Sequence, residues 1–126
     1  MHAASYTRLF ADDRGESHFE TVECSLLPVD FAPPAGPLQV ANLSSAVRCG
    51  FVGAETDWEG AVPHPSPRRQ FFCFMRGECA VTASDGSTCH FSAGHLLLLE
   101  DTFGKGHSTR VIGADDLLIF SVALEG

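Results

Sequence analysis

Positive charge is scarce in this chain: eight lysines and arginines stand against sixteen aspartates and glutamates, a formal net charge of −8. The one basic cluster, Arg68-Arg69, is too short to neutralise a row of phosphates, which argues against a nucleic-acid partner. Long apolar runs are also missing. The longest, Phe71 to Met75, falls far short of the roughly 20 residues a membrane helix needs, so no membrane partner is expected. Met1-His2-Ala3-Ala4-Ser5 lacks a charged segment ahead of an apolar one, and secretion is not expected either. The five cysteines, at 24, 49, 73, 79 and 89, are odd in number and contain no Cys-x-x-Cys. That spacing excludes a zinc knuckle and fits thiols kept as core fillers in a reducing cytoplasm. Helical periodicity is absent as well: no window of eleven residues holds the apolar i, i+3, i+4, i+7 pattern.

What is present reads as one all-β domain over residues 1–126. A chain of this length buries roughly two-thirds of the surface its unfolded form exposes. Hydrophobic residues at 44%, with ten phenylalanines against one Trp and one Tyr, exclude disorder and call for a large apolar interior. Residues 1–16 are polar and mixed in charge, and read as an N-terminal arm or a frayed first strand. Residues 18–27 look strand-like, and Pro28 to Pro37, with four prolines, reads as a loop. Short strands are expected at 38–43 and 46–52, then a polar connection over 55–67 carrying Trp58 and His64. The second half is more regular, with strands at 70–75, 78–83, 87–91, 96–100, 107–112 and 116–124. Ser84-Asp85-Gly86 is a hairpin turn between two of them. Strands recurring every eight to twelve residues are the mark of a sandwich or closed barrel.

Two spacings carry the chemistry. Trp58, His64, Ser66, Gln70 and Gly77 are separated by five, one, three and six residues; Leu96, Thr102, Gly104, His107 and Val111 by five, one, two and three. These resemble the two motifs of the cupins, G-x5-H-x-H-x3-E-x6-G and G-x5-P-x-G-x2-H-x3-N. In the first, His64 and Gly77 are retained while Trp58, Ser66 and Gln70 replace Gly, His and Glu. In the second, Gly104 and His107 are retained. Phe74-Met75-Arg76-Gly77-Glu78 and Phe91-Ser92-Ala93-Gly94-His95 are similar to the turns that accompany those motifs. The resemblance covers 58–124, the motif-bearing barrel core, and reaches the first 57 residues only loosely. It implies the cupin double-stranded β-helix, a jelly-roll barrel, and the homodimer common among cupins.

Parity gives the spacing a physical meaning. Residues 64, 66 and 70 fall on one face of an extended chain and can share a barrel interior, with Phe72 and Phe74 continuing that face. Arg68 has the same parity and Arg69 the opposite one. Phe71, Cys73 and Met75 make the other face apolar too, so it should pack on the second sheet or on another subunit. By resemblance, His64, Gln70 and His107 are the candidate metal ligands, Gln70 through its carbonyl oxygen, for one divalent ion among Zn, Fe, Mn, Ni and Cu. A neutral Gln in place of Glu should weaken the hold. His64 and His107 are also the candidate catalytic residues. With an ion the resemblance implies Lewis-acid or oxygen-activating chemistry on a small organic molecule; without one, two imidazoles can exchange protons. A non-catalytic ligand-binding module stands beside the enzyme reading, since replaced motif residues are what abandoned catalysis leaves behind. A structural dimer with a collapsed, phenylalanine-filled barrel is a third reading. Glu100-Asp101 reads as a strand-end turn.

Overall fold

The computed structural model describes residues 2–126. It contains eleven strands: β1 (Ala3–Ala11), β2 (Ser17–Ser25), β3 (Leu27–Val29), β4 (Leu38–Val40), β5 (Ala46–Ala54), β6 (Gln70–Arg76), β7 (Glu78–Ala83), β8 (Thr88–Phe91), β9 (Leu96–Glu100), β10 (His107–Ile112) and β11 (Leu117–Leu124). No helix among the described residues is long and apolar enough to cross a membrane. One sheet runs β2-β1-β9-β6-β11-β5, a second β10-β7-β8, and β3-β4 form a separate ribbon.

The pairings nest along the chain. The hairpin β7–β8 lies innermost, and β6 pairs antiparallel with β9 around it. An antiparallel bridge joins His64 to His107 at the start of β10, and β11 pairs antiparallel with β5 outside that. These nested pairs alternate between the two sheets. A long antiparallel ribbon wound around a barrel in this way is a double-sheet jelly roll, the fold the motif resemblance implies.

Between the sheets sit Leu9, Phe74, Cys79, Val81, Phe91, Leu97, Leu99, Leu117 and Ile119, all buried. Phe74 stacks on Phe91 with ring centroids 5.0 Å apart and planes 11° from parallel. Burial pushes the Cys79 thiol up to about 12, so it behaves as an apolar side chain. All five cysteines are free, but only Cys79 is buried and Cys49 is exposed, so the core-filler reading holds fully for Cys79 alone.

Three differences from the sequence reading have physical causes. The mixed-polarity N-terminus is a nine-residue strand, paired antiparallel with β2 and parallel with β9. Its polarity is mixed because Leu9 faces the core while Arg8 crosses the outer surface to Glu20 and Glu100. The proline-rich stretch is not wholly loop: Pro28 lies in β3, where a two-stranded ribbon has only edges and tolerates a residue without an N–H. The apolar outer face of β6 does not pack on the second sheet. Phe71 is buried there among Tyr6, Leu96, Leu98, Val122 and Leu124, while Met75 on the same face is half exposed.

The β1–β2 turn is tied to the β7–β8 turn by His18. Its Nε2 lies 2.7 Å from Asp12 Oδ2 and its Nδ1 3.1 Å from Asp85 Oδ2. Both nitrogens can donate only in the imidazolium. The hydrogen bond with Asp12 holds the His18 pKa above its ordinary value and lowers that of Asp12; hydrogen bonds from Ser87 lower that of Asp85. The raised His18 contributes fully below its unfolded pKa, and the contribution fades as pH rises through the folded value. The lowered carboxylates contribute above their unfolded pKa and lose that contribution in acid. His18→Gln should therefore lower the melting temperature most between about pH 5 and 6, and hardly at all above about pH 8. Paired thermal melts across this range check the clamp, and a deficit that persists unchanged in alkali would contradict it.

Candidate functional site

The connection over 55–67 enters the barrel at His64. Its N–H donates to the His107 carbonyl and the His107 N–H donates back to the His64 carbonyl, each at 3.0 Å. Two residues on, the Ser66 N–H donates to the Asp101 carbonyl at 2.9 Å. The segment is thus pinned to the start of β10 and to the end of β9, and acts as a rudimentary fourth strand of the smaller sheet. Gly106 permits the close approach. Its φ is +71°, and a Cβ there would lie 2.1 Å from the His64 carbonyl carbon.

These contacts set the two imidazoles beside one another, with ring centroids 5.2 Å apart. Each ring has one nitrogen committed. His64 Nδ1 lies 3.0 Å from the Val62 carbonyl oxygen, which can only accept, so Nδ1 carries the proton. His107 Nδ1 lies 2.5 Å from Asp101 Oδ2 and donates to that carboxylate. Nε2 is left as the nitrogen each ring can offer to a ligand. The depths differ: His64 is exposed at the mouth, His107 is 7% exposed and Asp101 fully buried. Asp101 Oδ1 is buried without a hydrogen-bond partner among the described residues. A buried carboxylate held by one bond is costly to retain; here it fixes the orientation of a ring.

Both histidines line a cavity of about 400 Å³ open at one end of the barrel. Ser66, Arg68, Gln70 and Phe72 also line it, as their shared parity requires, with Leu99, Thr109, Leu117 and Ile119 from the other strands. The volume falls within the range of small-molecule sites. Gln70 Nε2 donates to Ser66 Oγ at 3.1 Å, and Ser66 Oγ donates to the Arg68 carbonyl at 2.7 Å. The Ser66 hydroxyl is therefore occupied, and Oε1 is the Gln70 atom left for the cavity. Trp58 stands at the rim over Gly60, where a Cβ would meet the indole ring at 2.0 Å. Arg69 points away, bonded to Glu100 and to the Glu125 carbonyl. His95 accepts the Ser92 N–H in its own turn and lies outside the cavity. A groove of about 320 Å³ on the outer face is lined by Arg8, Glu20, Arg69 and Glu100, whose charges are already paired with one another.

The sequence reading missed Asp101, taken there for a turn residue. It belongs with the site as the partner of His107, and its only signal was a carboxylate six residues before a motif histidine. Among the described residues no three His, Cys, Asp or Glu side chains converge as a metal cluster. The donor set His64, His107 and Gln70 is two imidazoles and a neutral amide, which fits a weakly held ion with positions open to solvent or ligand. Each imidazole has its Nδ1 anchored, as histidine ligands require.

Compared by sequence, no family model matches the chain and no curated protein does. Among solved structures it is similar to the cupin domain of Cnp3 from Schizosaccharomyces pombe, at 15% identity and a TM-score of 0.46, covering 99% of this chain and 86% of that one. It is also similar to a Salmonella typhimurium LT2 protein provisionally described as ethanolamine utilization protein q, at 15% identity and a TM-score of 0.39, covering 98% of each chain.

Proposed function

We propose that this chain, a jelly-roll barrel of the cupin type, binds a small organic molecule in its cavity and acts on it through His64 and His107. The observation that carries the reading is the matched anchoring of the two imidazoles. Each Nδ1 is tied to an acceptor, so each Nε2 is an available lone pair beside the same cavity. His64, at the mouth, can take a proton from an entering group. His107, deeper and braced by Asp101, can accept a hydrogen bond from a second polar group of the ligand and hold it in place, while His64 can return its proton to the product. A divalent ion would be held by His64, His107 and Gln70, and when bound would supply Lewis-acid polarisation of a ligand oxygen.

The non-catalytic reading is favoured by a different observation: Ser66 and Gln70 bond to each other, and no carboxylate joins the donor set. A collapsed barrel is disfavoured by the volume of the cavity itself. The homodimer is also proposed, through the outer face near β5 and β11. There Val47 and Phe51 are 60% and 69% exposed and Phe51 packs edge-on against Phe120. Light scattering should give twice the 13.5 kDa chain mass, and a monomer at working concentration would count against it. The five free thiols support a reducing compartment.

The central test is native mass spectrometry with elemental analysis of protein never exposed to chelator, beside His64→Ala/His107→Ala. Near one equivalent of a divalent metal, lost in the variant, selects the metal form. A bound small molecule without metal selects the metal-free form, and recovery of that molecule unchanged after incubation selects binding over catalysis. Neither metal nor ligand in the wild type would sink the reading.

A further inference from the structure

The charge around the cavity is opposite to that of the chain. Acidic residues outnumber basic ones sixteen to eight overall, yet the ionisable side chains lining the cavity are His64, Arg68 and His107, with no Asp or Glu among them. Asp101 stands behind His107 and is committed to it. Two adjacent arginines make the contrast sharper. Arg69, on the outer face, is held by Glu100. Arg68, on the cavity face, has no carboxylate partner among the described residues. Its backbone is fixed by the Ser66 hydroxyl, so its side chain starts from a defined point at the mouth. Below it the lining turns apolar, through Phe72, Leu117 and Ile119.

An unpaired guanidinium over an apolar floor favours a ligand with a planar anionic head and an apolar body. The two parallel N–H groups of arginine match a carboxylate, whereas a phosphate dianion would call for more than one cation. We infer that the cavity takes a small carboxylic acid as its anion, the carboxylate at Arg68 and the apolar body against Phe72, Leu117 and Ile119. The inference rests on the reading of the cavity as a ligand site.

The chain's sole tryptophan, Trp58, stands at the rim and reports occupancy. Its fluorescence is followed while acid–amide pairs of graded length are added: benzoate and benzamide, 3-phenylpropionate and its amide, octanoate and octanamide. The protein is used as purified and again after chelation. At least one acid should bind about tenfold tighter than its amide, as expected for a charge-assisted pair. Arg68→Gln should remove that preference while melting like wild type. Arg110→Gln, which removes an exposed charge on β10 away from the cavity, should keep it. Acid and amide binding equally to the wild type would overturn the carboxylate assignment and leave the cavity reading standing. A preference that survives Arg68→Gln but disappears on chelation would place the carboxylate on an ion and overturn the role of Arg68. No response to any pair would remove both the inference and the reading beneath it.

Discussion

Gly106→Ala should lower the melting temperature by on the order of 10 °C and abolish ligand binding. Two costs combine. A left-handed φ costs an L-residue about 1–2 kcal/mol, and Gly106 sits at φ +71°. Its Cβ would also lie 2.1 and 2.2 Å from the carbonyl carbon and oxygen of His64. Those atoms are backbone, held by the His64–His107 bridge, so the clash is relieved only by breaking the bridge that sets the two imidazoles side by side. The Gly106 carbonyl also accepts the buried Ser17 hydroxyl at 2.6 Å, so the shift would reach the β1–β2 hairpin. Gly86→Ala separates the two costs. Gly86 has φ +93° with no atom within 4 Å of its Cβ, so its alanine variant bears the strain without the clash. Calorimetry on both should show Gly106→Ala losing at least about twice as much stability. Equal losses would mean that backbone strain alone matters and that the bridge does not hold the site.

How far the sequence foretold this arrangement depends on the kind of contact. Parity placed His64, Ser66, Arg68, Gln70 and Phe72 on one face, and all five line one cavity, because an extended chain carries its side-chain direction in its numbering. The paired half-motifs put His64 and His107 at the same end of a barrel for a similar reason: a jelly roll nests its strands symmetrically about the β7–β8 hairpin. Asp101 was not legible. It meets His107 across the loop over 102–106, and a loop that turns back on itself leaves no period in the sequence. The β1 strand was obscured by Arg8, whose ion pairs with Glu20 and Glu100 come from strands far apart in the chain. A charge satisfied by distant partners looks, in one dimension, like a charge that needs water. The β3–β4 ribbon was obscured by proline, which signals a loop strongly and an edge strand only weakly.

Asp101→Ala should reduce ligand or metal affinity by about 10- to 100-fold, the usual loss when the partner behind a working histidine is removed. The effect on the fold should be smaller than its burial suggests. Asp101 is fully buried, but Oδ1 has no partner and Oδ2 has one, His107 Nδ1. Removing the carboxylate deletes an unsatisfied acceptor together with a satisfied one, so the two changes oppose each other and the net destabilisation should stay near about 1–3 kcal/mol. What is lost is orientation. Without the carboxylate nothing among the described side chains bonds His107 Nδ1, the ring is free to turn, and the proton can sit on either nitrogen. Asp101→Asn keeps the shape and can still accept from Nδ1–H through its carbonyl, so it should recover part of the affinity. Nitrogen-15 spectra of the histidine rings should show one His107 tautomer, protonated at Nδ1, in the wild type and a mixture in Asp101→Ala. An alanine variant that binds as tightly as wild type, with the same tautomer, would show that Asp101 is only a buried turn residue.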